Sequence, residues 1–293
     1  MTRDTASSSA LARLAPAVVV AVVVTASHIG SLANGLTLDA RALVLGNPAL
    51  REATWANVRT ILTSDYWSPM ATNGLYRPVT TLSFLANWAL LGNAGRPLGY
   101  HVVNLLLHLC CALAALALFR RLGLATAAAV VATLLFAVHP VTTEVVANVA
   151  GRADLLAALG VLCGLLCQAR ARAARGGARM AWETGLVAAA VLGMFAKENA
   201  VVLLPLLIVW EALSPSAAEW RARARGPALA AGVAAVMLAA RWWVRAQGYP
   251  PESSPLDNPI LEAGLWEGRA TALGVLAQQA GTLVWPAVLR ADY

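Results

Sequence analysis

Long apolar runs separated by short polar segments are the feature that most constrains the fold of this chain. A membrane-spanning helix needs about 20 predominantly apolar residues, and 59% of the residues are hydrophobic while only 13% are charged. Soluble domains carry about 25% charged residues. The sequence therefore predicts an all-α polytopic membrane protein. The predicted spans are residues 14–33, 98–119, 122–138, 153–169, 181–196, 199–214, 226–244 and 268–287.

The number of crossings depends on two short apolar runs, 181–196 and 199–214. If both cross the membrane, the bundle has about eight transmembrane helices. The charged sequence AKEN (196–199) joins the two runs. Irregular backbone at membrane depth is tolerated only where protein surrounds it. We therefore expect AKEN to form a turn that is lined by protein rather than lipid.

Residues 34–97 are predicted to form a long outer loop that contains interfacial helices. Within 51–64, Trp55 and Ile61 belong to a set of apolar residues that recur at helical spacing. An amphipathic helix of this kind is typical of the membrane interface. The run 77–92 is predicted to be a second interfacial or re-entrant helix, with a short span as the alternative.

Arginine clusters predict the orientation of the chain in the membrane. The net charge is +7, and Lys197 is the only lysine. The clusters follow the second, fourth and sixth predicted spans, on the side of the N-terminus, and the positive-inside rule makes that side cytoplasmic. A nucleic-acid-binding protein would need a basic stripe or a recognised binding fold. We expect a multi-pass protein of the bacterial inner membrane, or of the endoplasmic reticulum membrane in a eukaryote, with a cytoplasmic N-terminus.

The stretch FAVHPVTTEVVANVAGRADLL (136–156) places ionisable residues at the outer ends of two predicted spans. Such groups are costly there, so His139, Asp154 and their neighbours form a functional-site hypothesis. Glu144, Asn148 and Arg152 are spaced by four and would form a polar ladder on one helix face. The alternatives are a structural ion-pair network between two helices and, for His139, an ordinary interfacial histidine.

Other predicted outer loops supply an acid and candidate phosphate ligands. Asp39 follows the first predicted helix and suits a general base that deprotonates a hydroxyl; the alternative is a turn aspartate. Arg77 can bind phosphate through two parallel hydrogen bonds, or its stem can lie along the membrane surface. Lys197 and Glu198 are adjacent, so each is expected to have a partner elsewhere. The simplest interpretation of Asp257 is a turn.

Several common catalytic motifs are absent from the sequence. There is no glycine-rich phosphate loop, no metal-ligand cluster and no serine-nucleophile motif. A nucleotide-using enzyme is therefore not expected. The cysteines lie inside apolar runs without ligand partners, and we interpret them as small buried residues: Cys110, Cys111, Cys163 and Cys167.

A series of short motifs occurs in a distinctive order along residues 15–293. They are LDARALVLGNPAL (38–50), SDYWSP (64–69), YRPVTTLSF (76–84), GYHVVNLLLH (99–108), LLFAVHPVTTEVVANVAGRADLL (134–156), AKENAVVLLPLL (196–207), LDNP (256–259) and WPAVLRADY (285–293). In order and spacing they resemble the membrane half of the transmembrane and tetratricopeptide-repeat (TMTC) protein O-mannosyltransferases. The resemblance implies a GT-C glycosyltransferase fold. It also implies inverting transfer of a sugar, usually mannose, from a polyprenyl- or dolichyl-phosphate donor to protein Ser or Thr hydroxyls at the outer membrane face.

The resemblance also implies roles for individual residues. Asp39 matches the first position of the family's paired acidic motif, but the second position is Ala40, which leaves one carboxylate and leaves a need for divalent metal open. Arg77 matches the arginine of the YRP motif. The remaining matches lie in the HP-x-x-T-E, G-R-A-D and K-E motifs: His139, Glu144, Arg152, Asp154 and Glu198.

The predicted site therefore has three parts. Asp39 is the predicted catalytic base, and no residue is assigned to a metal. The predicted ligands of the donor phosphate are Arg77, Arg152 and Lys197. The predicted cavity wall consists of Tyr76, His139, Glu144, Asn148, Asp154 and Glu198.

Two other functions remain open from the sequence. A non-enzymatic membrane scaffold or truncated pseudoenzyme is favoured by Ala40 and by the short C-terminus. Family members continue past the ADY motif into further helices and tetratricopeptide repeats, so residues 1–293 are expected to be one GT-C-like transmembrane domain, truncated at its C-terminus. A transporter is the third possibility, although internal repeats and charges at the midplane, which are common in transporters, are not evident.

Overall fold

The protein is a helical bundle in which every described secondary-structure element is a helix. The computed structural model describes residues 3–214, 220–248, 263–287 and 289. The α-helices in this part of the chain are α1 (Arg3–His28), α2 (Trp55–Thr63), α3 (Pro78–Leu85), α4 (Pro97–Arg121), α5 (Thr126–Ala137), α6 (Thr142–Ala147), α7 (Arg152–Ala173), α8 (Gly176–Met194), α9 (Leu203–Leu213), α10 (Trp220–Gln247) and α11 (Leu265–Val284). Short 3-10 or π-helical segments cover Ile29–Ala33, Arg41–Leu45, Pro48–Leu50, Ala86–Leu90, Val149–Gly151 and Glu198–Val202. Asp257 and Asn258 lie outside the described residues.

Four helical segments in the described ranges are long and apolar enough to cross a membrane: Leu14–Ala33, Pro97–Arg121, Val149–Ala173 and Arg223–Gln247. They coincide with four of the predicted spans, which confirms an all-α, multi-pass membrane protein. The other four predicted spans also lie on helices, α5, α8, α9 and α11. Those four helices are not among the ones that are both long enough and apolar enough to cross a membrane. The number of eight crossings therefore stays a prediction.

The close contact of α7 with α8 depends on glycine. A Cβ at Gly160 would lie 2.6 Å from backbone atoms of Gly193 and 2.7 Å from the carbonyl oxygen of Ala189. Small residues that let helix backbones approach closely are typical of the contacts between helices in membrane proteins. Around this contact, α7 to α10 share one hydrophobic core, which includes Leu186 and Met237.

Ion pairs hold the arginine-rich ends of α7, α8 and α10 together with the end of α9. Glu211 at the end of α9 is buried and accepts hydrogen bonds from Gln168 (2.7 Å) and from Arg172 near the end of α7. Arg225 near the start of α10 lies 3.0 Å from Glu183 in the first half of α8. The arginines that follow the fourth and sixth predicted spans therefore lie at the same end of the bundle.

The predicted outer loop is a folded unit with a buried core of its own. Both predicted helices exist, but α2 begins at Trp55 and α3 ends at Leu85, where a π-helical segment replaces the rest of the predicted 77–92 helix. Phe84 and Leu85 are buried in a core cluster formed by this loop and the start of α4. The apolar side chains of α3 therefore pack against protein, and its predicted position as an interfacial or re-entrant helix stays a prediction.

The stretch 136–156 is not a continuous helix. The chain leaves helical geometry at Asn148, whose ψ of 126° is extended, and re-enters a helix through Val149–Gly151. The amide oxygen of Asn148 accepts a hydrogen bond from the backbone N–H of Ala150 at 3.0 Å, which satisfies a donor at the break. The predicted single-face ladder of Glu144, Asn148 and Arg152 is therefore wrong, because the break rotates α7 relative to α6.

Candidate active site

A cavity of about 280 Å³ collects most of the predicted site residues at one end of the bundle. It lies at the end opposite the arginine-rich ends, where α6 and the first turn of α7 meet the outer loop and the turn after α8. Six predicted residues line it: Asp39, Arg77, Glu144, Asn148, Asp154 and Lys197. Side chains from segments more than 100 residues apart therefore converge on one space.

Asp39 reaches the cavity from a strained turn. The preceding residue, Leu38, has a φ of +48°, which is unusual for a residue with a side chain. Such strain persists only where the surrounding structure enforces it. The Asp39 side chain is exposed and forms no hydrogen bond or ion pair within the described part of the chain. A carboxylate without a partner is free to accept a proton from a ligand.

Ala40, by contrast, is completely buried and packs in the outer-loop core with Leu43 and Val44. The position after Asp39 therefore faces the protein interior, and of these two neighbouring residues only Asp39 lines the cavity.

Arg77 and Glu198 form a bidentate ion pair beside the cavity. Arg77 donates from Nε to Oε2 of Glu198 at 3.0 Å and from Nη2 to Oε1 at 2.8 Å. Hydrogen bonds from Val79 N–H to the Phe195 carbonyl (3.2 Å) and from the Thr80 hydroxyl to the Ala196 carbonyl (2.9 Å) fasten α3 to the turn after α8. The backbone docking therefore brings the two charged side chains together.

The ion pair changes the proton affinity of both partners. Burial opposes charge on Arg77, but the hydrogen bonds and charge of Glu198 outweigh it and raise the Arg77 pKa. Burial likewise opposes charge on Glu198, but the hydrogen bond and charge of Arg77 lower the Glu198 pKa below its ordinary value. Both groups are therefore charged at neutral pH.

Arg77 keeps hydrogen-bonding capacity after it binds Glu198. A guanidinium carries five N–H donors in a fixed fork, and Glu198 uses two of them. The Arg77 guanidinium also lies 5.1 Å from the ring centroid of Tyr66, which is within cation–π range. The arrangement holds Arg77 in one orientation while leaving N–H groups for an anion in the cavity.

Lys197 forms a second ion pair at the cavity. Its Nζ lies 2.7 and 2.8 Å from the two carboxylate oxygens of Asp154, in the first turn of α7. An ammonium group has three donors, so one N–H remains. The expectation that Lys197 and Glu198 have separate partners is confirmed, since each pairs across the fold with a different residue.

Glu144 and Asn148 lie between this cavity and a larger one. Both residues also line a cavity of about 640 Å³, which is bounded on its far side by α11 and by apolar residues that include Leu38 and Leu283. The Glu144 side chain is exposed. These two residues therefore form a shared wall between a charged cavity and a mostly apolar one.

Three predicted cavity-wall residues do not line the smaller cavity: Glu198, which lies beside it as the partner of Arg77, and Tyr76 and His139. Tyr76 is buried, its hydroxyl donates to the Leu62 carbonyl at 2.9 Å, and its ring packs edge-on against Phe195. His139 lies with Nε2 3.1 Å from the Leu283 carbonyl on α11. Their contacts give Tyr76 a structural role beneath Arg77 and give His139 a role at the edge of the larger cavity.

Arg152 also differs from its predicted role as a phosphate ligand. Its side chain is completely buried, and it does not line the cavity. Nε donates to Asn104 Oδ1 at 2.9 Å, and Nη2 donates to the Tyr100 carbonyl at 2.9 Å. The guanidinium is therefore bonded within the protein interior, which favours a structural role over contact with a ligand.

Two further residues, Tyr66 and Asn104, contribute to the site although neither was predicted from the sequence as a site residue. Tyr66 lines the cavity, and its burial raises the pKa of its phenol, so the hydroxyl is neutral. Asn104 is fully buried in the first half of α4. A polar amide inside the apolar run HVVNLLLH was the available signal for Asn104, since buried polar groups in membrane helices are costly unless paired.

Within the described ranges, no group of three or more His, Cys, Asp or Glu side chains is placed to hold a metal ion. Of the carboxylates near the cavity, Asp39 and Glu144 are exposed, whereas Asp154 and Glu198 each pair with a cation. The geometry of the described residues thus supports anion binding and proton transfer.

Several proteins with similar sequences are named protein O-mannosyl-transferases. The chain is 38% identical to protein O-mannosyl-transferase TMTC4 of Homo sapiens over 51% of its length, and 32% identical to protein O-mannosyl-transferase Tmtc2 of Drosophila melanogaster over 91% of its length. It is 30% identical to protein O-mannosyl-transferase Tmtc1 of Drosophila melanogaster, also over 91% of its length. The chain is related to the TMTC family. The resemblance predicted from the motifs is confirmed.

The relationship to the TMTC proteins covers only part of each of them. The chain spans 23%, 29% and 33% of the length of these three relatives. No family model matches the chain. No solved structure matches it either.

Proposed function

We propose that this protein is the membrane part of a glycosyltransferase that moves a sugar, mannose by analogy with its TMTC relatives, from a polyprenyl-phosphate donor to a hydroxyl of a protein. The observation that carries the proposal is the convergence of Asp39, Arg77 and Lys197 on one cavity. An unpartnered carboxylate beside two cations provides a base and an anion site within the same space. The names of the related proteins supply the reaction class.

Arg77 and Lys197 bind the donor phosphate in this proposal. Both cations are oriented by carboxylate partners, Glu198 and Asp154, and both retain unused N–H donors. Charge-assisted hydrogen bonds to phosphate are roughly twice as strong as neutral ones. Cations fixed before the donor arrives stabilise the negative charge that grows on the phosphate as it departs, without reorganisation during the reaction.

Asp39 acts as the general base. Its carboxylate accepts the proton of the acceptor hydroxyl while the hydroxyl oxygen attacks the anomeric carbon of the sugar. The bond from that carbon to the phosphate oxygen breaks, and polyprenyl phosphate leaves with the electron pair. Attack from the side opposite the phosphate inverts the configuration of the anomeric carbon.

The site faces the non-cytoplasmic side in this proposal. The cavity and the arginine-rich ends of α7 and α10 lie at opposite ends of the bundle, and basic clusters favour the cytoplasmic side. With that orientation, the N-terminus is cytoplasmic and the donor enters laterally from the bilayer.

The test is sugar transfer by purified full chain in detergent, with polyprenyl-phosphate mannose as donor and Ser/Thr-containing peptides as acceptors. We expect labelled peptide from the wild-type protein and at least a hundredfold lower kcat in Asp39→Asn, the scale on which general bases contribute. Glu52→Gln is the matched control, because Glu52 is an exposed carboxylate of the same outer loop outside the cavity lining.

Three outcomes separate the proposals. Undiminished transfer by Asp39→Asn overturns the assignment of the base but leaves the glycosyltransferase in place. Transfer from a nucleotide sugar alone overturns the donor class. A folded wild-type protein that binds polyprenyl phosphate without transferring sugar supports the non-enzymatic scaffold instead.

A further inference from the structure

Arg152 is a fully buried cation without a carboxylate partner. Its relative exposure is 0%, and it takes part in no ion pair within the described ranges of the chain. An isolated charge in a protein interior is costly unless hydrogen bonds and dipoles compensate it. The residues that surround this guanidinium must therefore be arranged around its charge.

Neutral oxygen atoms and aromatic faces provide that compensation. Nε donates to Asn104 Oδ1 (2.9 Å), Nη1 donates to the Ser83 carbonyl (3.2 Å) and to Asn87 Oδ1, and Nη2 donates to the Tyr100 carbonyl (2.9 Å). The guanidinium also lies 4.8 Å from the ring centroid of Phe84 and 5.5 Å from that of Tyr100. Arginine suits this set of acceptors because its planar guanidinium group can donate hydrogen bonds to all four of them at once.

The four acceptors belong to three helical elements that are distant in sequence from Arg152. Ser83 lies on α3 and Asn87 on the π-helical segment that continues it, whereas Tyr100 and Asn104 lie on α4. Arg152 is the first residue of α7. One side chain therefore fastens the beginning of α7 to both α3 and α4.

The network extends from Arg152 to the cavity wall through Asn104. While Oδ1 of Asn104 accepts from Arg152, its Nδ2 donates to the backbone carbonyl of Asn148 at 3.1 Å. Asn148 lines the cavity and is the residue at which the chain leaves helical geometry. Asn104 therefore joins the buried cation to the break that shapes the wall.

We propose that Arg152 is a positioning residue for the active site, acting through Asn104 on Asn148 and through α3 on Arg77. Arg77 is the residue that precedes the first turn of α3, and Asp154, the partner of Lys197, lies in the first turn of α7. By tying α3 to α7, Arg152 fixes the separation of the two cations that bind the donor phosphate. This inference rests on the proposed function for its effect on catalysis, but not for its effect on structure.

The decisive variant is Asn104→Asp. It retains an oxygen for Arg152 and removes the N–H that reaches Asn148, so it cuts the network at a single bond. Because the new carboxylate also compensates the buried cation, we expect the variant to fold and to keep the thermal midpoint of the wild-type protein. Asn73→Asp is the matched control, since Asn73 is an exposed residue of the outer loop outside the cavity lining.

Two measurements are made on each variant. Hydrogen–deuterium exchange of the segment 142–156 is expected to become at least tenfold faster in Asn104→Asp, while exchange in α8 and α10 is unchanged. In the transfer assay, kcat is expected to fall about tenfold with less than a threefold change in the donor KM, because small displacements of reacting groups cost rate more than binding. Asn73→Asp is expected to match the wild-type protein in both.

A second variant, Arg152→Lys, keeps the positive charge but cannot reach four acceptors. We expect the same faster exchange in 142–156 and a comparable loss of kcat, together with a lower thermal midpoint. Wild-type exchange and wild-type kcat in a folded Asn104→Asp protein would overturn the route through Asn104, and wild-type values in Arg152→Lys as well would overturn the positioning role. If the wild-type protein transfers no sugar, the proposed function fails, and the exchange measurement alone still decides whether Arg152 positions the cavity wall. If Asn104→Asp does not fold, exchange of 142–156 in Arg152→Lys decides it.

Discussion

Arg77 and Glu198 lie 121 positions apart in the sequence and meet through two hydrogen bonds of 3.0 and 2.8 Å. The exposed fractions of the two side chains are 14% and 26%, so water screens the pair only partly. One member belongs to the outer loop and the other to the turn between α8 and α9. The pair therefore both closes the fold at this end and orients the cation that faces the cavity.

Replacement of Arg77 by lysine tests its role in donor binding. Arg77→Lys keeps the charge but loses the fork that contacts Glu198 and phosphate together. We expect the donor KM to rise about tenfold, equivalent to about 1.4 kcal/mol of binding free energy, with a smaller change in the KM for the acceptor. Steady-state kinetics measure both values, with saturating acceptor for the donor KM and saturating donor for the acceptor KM.

The control for this substitution is Arg59→Lys. Arg59 is an exposed arginine on α2 that does not line the cavity. Wild-type kinetics are expected for it. An unchanged donor KM in Arg77→Lys would contradict phosphate binding by Arg77.

The lowered pKa of Glu198 predicts how the ion pair responds to acid. A carboxyl group whose folded pKa is depressed stabilises the fold above its unfolded pKa, and that contribution is lost as pH falls through the folded value. The ordinary value is 4.5. We expect Glu198→Gln to lower the thermal midpoint at neutral pH and the difference from wild type to shrink as pH falls below 4.5. Thermal unfolding in detergent at several pH values checks this, and a difference that grows in acid has the wrong sign.

Gly160 tests the close packing of α7 and α8. In Gly160→Ala the new methyl group would lie 2.6 Å from the Gly193 backbone, so the helices must separate. Overpacking of this kind typically costs about 1–3 kcal/mol. Gly232→Ala on α10 is the matched control, since no atom lies within 4 Å of its added Cβ, and alanine is the better helix former. A lower thermal midpoint is expected for the first variant only; equal midpoints would mean that the α7–α8 contact is not glycine-dependent.

Glu211 tests the ionic cluster at the opposite end of the bundle. It is 6% exposed, accepts from Gln168 and Arg172 through its side chain, and accepts from Arg223 through its backbone carbonyl. Glu211→Gln removes the charge that these groups surround, and hydrogen bonds to charged groups contribute about 1.5–3 kcal/mol. We expect a clear fall in the thermal midpoint with a donor KM within twofold of wild type, because the cluster lies far from the cavity. Glu52→Gln again serves as the control, and a wild-type midpoint for Glu211→Gln would show that the cluster contributes little.

The helices of this protein were largely predictable from local sequence. Apolar runs of sufficient length dictate membrane helices, because each backbone polar group must be satisfied within its own segment. The break at AKEN and the helices within 51–64 and 77–92 were likewise evident from charge and spacing. The charged residues of the cavity were also predicted from the sequence, because groups such as Asp39, Arg77 and Lys197 lie beside apolar spans.

The roles of the charged groups could not be predicted from the sequence and depend on the three-dimensional fold. Arg77 and Arg152 are both arginines near the outer ends of apolar segments, and nothing local distinguishes them. The fold places Arg77 beside an open cavity with a carboxylate partner, and it encloses Arg152 among carbonyl and amide oxygens from α3 and α4. The physical reason is that helix formation depends on neighbouring residues, whereas the burial and partners of a charge depend on residues about 50 to 120 positions away.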